Sequence, residues 1–182
     1  MVVDLEATCC NDQSFPTTEM ETIEIGAVMV CGETLKPVSE FCTFIKAVRH
    51  PQLTVFCTNL TSITQADVDS AQNFKQAFTE FKAWLSQYED YLFCSWGEYD
   101  RNQFIQDCDY HDEPYPISAP HLNLKRQFSR AQKVRKHQGM AGAMKLTGMQ
   151  LEGAHHRGLD DARNIARLLP FSLGRKFISQ QK

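Results

Sequence analysis

Asp4 and Glu6 stand two residues apart in an otherwise apolar opening, Val2-Val3-Asp4-Leu5-Glu6-Ala7. Side chains alternate along an extended strand, so both carboxylates leave one face and Val3 and Leu5 leave the other. Apolar neighbours at nearly every other position mark an inner strand of a sheet rather than an edge. Two like charges on an inner strand are unfavourable unless a cation neutralises them. The fold must therefore cover this strand and still leave its acidic face open to something positive.

Other acids are candidates to share that site. Asp100 follows the apolar run YLFCSW (91–96) and a turn at Gly97. This places it near the carboxyl end of a second strand, where open α/β sheets collect their ligands; a helix-start acid favoured by the macrodipole is the alternative. Asp161 follows Gly158 in HHRGLDDARNIA (155–166). On a helix beginning near Leu159 it shares a face with Ile165 and with Leu168 or Leu169, the face that meets the sheet, whereas Asp160 and Arg163 point to the surface. His155 and His156 lie in the loop before that helix. An imidazole of ordinary pKa near 6.5 is suited to act as a general base, and either histidine could do so.

Several classes of protein are excluded by composition. At 182 residues the chain suits a single domain, expected over 1–175 with a loose tail at 176–182. No apolar run reaches the roughly 20 residues of a bilayer span, so no membrane partner is expected. Met1-Val2-Val3 leads straight to an acid, not to a basic start and apolar core, so no signal peptide is expected. The seven cysteines are odd in number and contain no C-x-x-C, which argues against a disulfide framework or zinc knuckle and fits a reducing cytoplasm. Cys31, Cys42 and Cys94 sit in apolar runs and are expected to be buried. Net charge is −3, too acidic for binding nucleic acid by bulk charge. Between Pro114 and Leu151, however, no Asp or Glu occurs, and seven Lys or Arg do. That stretch is either a solvated helix surface or a local grip on a few phosphates.

Strands are expected at 1–7, 22–31 and 40–46, forming an antiparallel meander, and at 91–96, parallel to a partner after a helical crossover. A short helix capped by Thr64 falls within 60–71. Asn73 caps a longer helix whose Phe74, Phe78, Phe81, Trp84 and Leu85 recur at core spacing. Further helices are expected at 99–109, 121–136, 139–147 and 159–169, the last ended by Pro170 and Gly174. The order predicts an α/β fold with a mixed sheet.

Three segments, DLEATC (4–9), WGEYD (96–100) and HRGLDDARNIA (156–166), resemble the three exonuclease motifs of the DEDDh class of 3′–5′ exonucleases. EIGAVMV (24–30) and FCTNLTSITQADVDSA (56–71) extend the resemblance to its three-prime histone mRNA exonuclease branch, from Met1 to about Leu169. The family histidine stands five residues before its last aspartate, which selects His156. The resemblance implies a ribonuclease-H-like fold, a mixed five-stranded sheet flanked by helices. It implies two Mg²⁺ or Mn²⁺ ions held by Asp4, Glu6, Asp100 and Asp161, with His156 as base. It further implies hydrolysis of single-stranded nucleic acid from its 3′ end, RNA favoured over DNA, with release of nucleoside 5′-monophosphates. Phe56 and Tyr99 would pack on the terminal base, and the backbone at Ala7 and Thr8 would meet the terminal nucleotide. Lys125 and Arg126 are candidates to hold upstream phosphates. A DNA-directed nuclease or a catalytically silent binding module are the alternatives. Three departures stand out: Ser62 replaces a usual glycine, Tyr99 stands where tryptophan is frequent, and Asp4 lies only three residues after Met1, which leaves an upstream native start open.

Overall fold

The computed structural model describes residues 1–179. Five strands form one mixed sheet: β1 (Val2–Ala7), β2 (Thr22–Val30), β3 (Pro37–Phe44), β4 (Phe93–Ser95) and β5 (His121–Asn123), in the order β3-β2-β1-β4-β5. β1 is central, antiparallel to β2 and parallel to β4. The expected meander and crossover are both present.

Helices cover both faces. Beneath one lie α3 (Phe74–Leu85) and α4 (Tyr99–His111), which bury Phe74, Phe78, Phe81 and Phe104 against Val3, Leu5 and Phe93. The aromatic stripe of α3 is therefore core. On the other face α5 (Leu124–Ala131), α6 (Met140–Leu146) and α7 (Gly158–Ser172) pack against Val2 and Val28. Asp4 and Glu6 share the parity of Val2, so their strand directs them toward α7.

Two glycines set how near α7 comes. Gly26 pairs with Asp4 across the ladder. A Cβ on Gly26 would lie 1.9 Å from the carbonyl carbon of Gly158, and one on Gly158 would lie 3.0 Å from the carbonyl oxygen of Asp4. Only hydrogen at both positions lets the start of α7 rest directly on β1 and β2.

Several expectations change. The segment before α3 holds two helices, α1 (Val55–Thr61) and α2 (Gln65–Asp69), not one. Thr54 caps α1 by accepting from the Cys57 amide at 2.9 Å, and Ser62 in the left-handed region ends it. Thr64 caps α2 as expected, in a capping box with Asp67. The expected helix at 121–136 begins with β5, a strand too short to show alternation, and Asn123 starts the helix after it. Pro170 does not end α7. In the last turn a proline removes a single backbone hydrogen bond, and the helix continues to Ser172. The tail is not loose from 176 onward: the Gln132 amide donates to the Lys176 carbonyl, and Ile178 N donates back to its oxygen. Residues 180–182 lie outside the described residues. Cys42 is exposed because β3 is an outer strand, and Cys31 is intermediate because it lies in the turn after β2; Cys57, Cys94 and Cys108 are the buried cysteines.

Candidate active site

Asp4, Glu6 and Asp161 converge where β1 meets the first turn of α7. Each offers an oxygen within 4.8 Å of the others'. Asp100 joins from the first turn of α4, its Oδ1 accepting the Leu5 amide at 3.0 Å. That bond ties the second carboxylate-bearing element to the central strand. All four acids, together with Leu5, Ala7, Tyr99, His155 and His156, line one pocket of about 440 Å³, room for about one nucleotide-sized ligand.

The charges are unbalanced. Among the described residues no Lys or Arg lines the pocket. Arg157, adjacent to His156, is spent on buried Glu24: its Nε and an Nη each donate to that carboxylate at 3.1 Å, and Gly158 N donates to it at 2.9 Å. Burial, then the neighbouring Asp100 and Glu6, hold the Asp4 carboxyl well above the usual range. Burial, then Asp161 and Glu24, push Glu6 up to about 8. Burial raises Asp100 to about 6 against the opposing bond from Leu5 N–H. Asp161 is also raised by burial, opposed by a hydrogen bond from the His156 amide. Its Oδ1 is buried without any partner. A buried acceptor left unsatisfied costs about 1–3 kcal/mol. Three converging carboxylates, an orphaned oxygen and no cationic side chain fit a hard divalent cation of the Mg²⁺ or Mn²⁺ kind, which takes oxygen ligands.

Two imidazoles stand at the mouth. Their ring centroids are 3.9 Å apart. His156 has a φ of 63°, a strained conformation for a residue with a side chain, and its amide donates to Asp161 Oδ2 at 2.9 Å. The bond fixes the backbone of one to the carboxylate of the other. His155 Nε2 lies 3.8 Å from the same oxygen. Burial, then His155, lower the pKa of His156, which favours the neutral ring.

The candidate substrate contacts fare unevenly. Ala7 and Tyr99 line the pocket, and Tyr99 is 46% exposed. Phe56 does not; Leu60, one helical turn later on α1, does. Seeing one helix where there are two hid this turn. Thr8 is buried, and its hydroxyl accepts from Glu21 N at 3.0 Å, so its side chain is structural. Lys125 and Arg126 are not in the pocket, and Arg126 lies 3.7 Å from Glu98. Trp96 and the 139–141 segment line the pocket without any motif having marked them as substrate contacts.

The exonuclease family profile matches residues 1–169. ERI1 exoribonuclease 3 of Homo sapiens is 32% identical over 190 residues, covering all of this chain and 55% of the relative. The 3′-5′ exoribonuclease 1 of Homo sapiens is 31% identical over 175 residues, covering 92% of this chain and 50% of the relative. The chain thus spans about half the length of the curated relatives it matches. Among solved structures, the nuclease domain of 3′hExo bound to rAMP, a DEDDh family member, superposes with a TM-score of 0.88 at 28% identity, covering 100% of this chain and 96% of that one. By motif order, fold and match, the chain belongs to the exonuclease family, in its DEDDh class.

Proposed function

We propose that the chain hydrolyses single-stranded nucleic acid from its 3′ end, with RNA as the favoured strand. One observation carries this reading: three carboxylates and an orphaned buried oxygen converge, uncompensated, beside an imidazole in a pocket sized for one nucleotide. Preference for RNA rests on the relatives, which are exoribonucleases by name. End-directed cleavage rests on the same relatives, of which one is a 3′-5′ exoribonuclease by name.

Asp4, Glu6, Asp100 and Asp161 would hold two Mg²⁺ or Mn²⁺ ions, which supply water activation and neutralise the charge gathering on the phosphate. The chain's own groups then act as follows. Leu5 N–H fixes the Asp100 carboxylate, and the His156 amide fixes that of Asp161. His156, kept neutral near pH 7 by its surroundings, accepts the proton of the attacking water at a ring nitrogen. The water oxygen bonds to the terminal phosphorus, the P–O3′ bond breaks with its electron pair going to O3′, which takes a proton from solvent to become the new 3′-hydroxyl, and the terminal nucleotide leaves as a 5′-monophosphate. Tyr99 and Leu60 offer the base a surface to pack on; a stacked base contributes about 1–3 kcal/mol with little sequence preference.

Incubating the protein with 5′-labelled RNA and DNA oligomers, with Mg²⁺ or with EDTA, tests the reading. Stepwise shortening only with metal, faster on RNA, is expected. Retardation on a gel with no shortening would mean a silent binding module.

A further inference from the structure

The acid-free stretch reaches the catalytic pocket only at Gly139, Met140 and Ala141. The residues flanking them, Gln138 and Gly142, line a second cavity of about 880 Å³ between α5, α6 and the segment after α7. The 138–142 segment is therefore a rim common to both. It is open at one point: nothing lies within 4 Å of where a Cβ on Gly139 would stand, so an extended chain can pass close to the backbone.

This second cavity has a distinct character. Lys133 and Lys145 line it, and no acid does. Arg135 and Lys136 are exposed on the same connection. Among the described residues none of these four cations forms an ion pair, whereas Arg101, Arg126, Arg157, Arg163 and Arg167 all do. Phe177, 68% exposed, and Leu146, 43% exposed, give the same cavity an apolar wall. An aromatic face beside unpaired cations is what a single strand needs: stacking for its bases and charge for its phosphates.

We propose that this groove holds the nucleotides 5′ of the bond being cleaved, the strand crossing the rim at Gly139. The inference rests on the exonuclease reading and adds to it a second subsite, served by Lys133, Lys145 and Phe177. Both lysines belong to the acid-free stretch expected to grip phosphates, in which Arg126 lies 3.7 Å from Glu98.

The test compares a dinucleotide, which places a single nucleoside and no further phosphate upstream of the cleaved bond, with a decanucleotide of the same 3′ end. Lys133→Glu combined with Lys145→Glu should raise KM for the decamer about 10- to 100-fold, leave kcat/KM for the dinucleotide within twofold, and flatten the dependence of log K on log salt by about 0.7 per lost phosphate contact. Phe177→Ala should weaken the decamer alone. Equal loss on both lengths, no loss on either, or no advantage of the decamer in the unaltered protein would overturn the groove. If the unaltered protein cleaves neither length with Mg²⁺, the exonuclease reading fails instead. Anisotropy of the labelled decamer in EDTA then decides the groove by itself: weaker binding in the double variant supports it, and unchanged binding overturns it.

Discussion

Glu6→Gln should stabilise the protein in EDTA while abolishing its response to metal. Glu6 is 8% exposed and held at about 8, against an ordinary value near 4.3. In the unfolded chain at neutral pH it is ionised; in the folded one it must be protonated or held charged among acids. At 1.36 kcal/mol per pKa unit that difference costs about 3 kcal/mol near pH 7. Glutamine removes this cost but leaves an amide short of partners, worth about 1–2 kcal/mol. The net gain is about 1–2 kcal/mol, or roughly 3–8 °C in Tm for a domain of this size. The sign with pH follows from the folded pKa being the higher one. The cost is absent below about pH 4.5, grows as pH rises toward about 8, and the gain from glutamine should therefore fade at pH 5. Mg²⁺ should raise the Tm of the unaltered protein and barely move that of the variant. Calorimetry in EDTA at pH 5 and 7, then with Mg²⁺, reads all of this. A variant melting at or below the unaltered protein at pH 7 in EDTA, or a gain independent of pH, would refute the account of the acidic face.

His156→Ala should lower kcat about 10²- to 10⁴-fold with the Mg²⁺-induced Tm shift retained, while His155→Ala costs less than tenfold; equal losses would remove the assignment of the base. Because burial, then His155, lower the His156 pKa, activity should fall on acidification only below the ordinary imidazole range, as the ring protonates, a fall that a pH–rate profile of kcat/KM measures. Gly26→Ala places a Cβ 1.9 Å from the Gly158 backbone, so denaturant unfolding should show a loss of about 3 kcal/mol or more, with reduced activity in whatever remains folded. Ser62→Gly relieves a φ of 61° at the end of α1 and should stabilise by about 0.5–1 kcal/mol with kcat unchanged.

What could be read from the sequence and what could not divides along physical lines. The two-residue spacing of Asp4 and Glu6 sufficed to place them on one face, because strand alternation is local. Asp161 followed in the same way from helical spacing. Elements of three residues, such as β5, carry no period to detect. α1 was concealed because Ser62, not glycine, supplies its left-handed end, and with it went Leu60. Long-range pairings were out of reach for a different reason. Glu24 is an acid in an apolar strand like Glu6 and two positions from Gly26, yet its role depends on Arg157, 133 residues away.

That pair shows why the site can stay acidic. Glu24 sits directly opposite Glu6 in the β1–β2 ladder, on the face that α7 covers. It takes the guanidinium of Arg157 and the amide of Gly158 at the start of α7, and the Cys42 thiol on β3. Arg157, next to His156 in the chain, is thereby engaged by a carboxylate outside the Asp4, Glu6 and Asp161 cluster. The positive charge those three acids require must then come from outside the chain. The same Glu24 holds the Arg157 side chain and the Gly158 amide directly after His156, so a single buried acid both engages the neighbouring cation and anchors the start of α7, from which Asp161 projects.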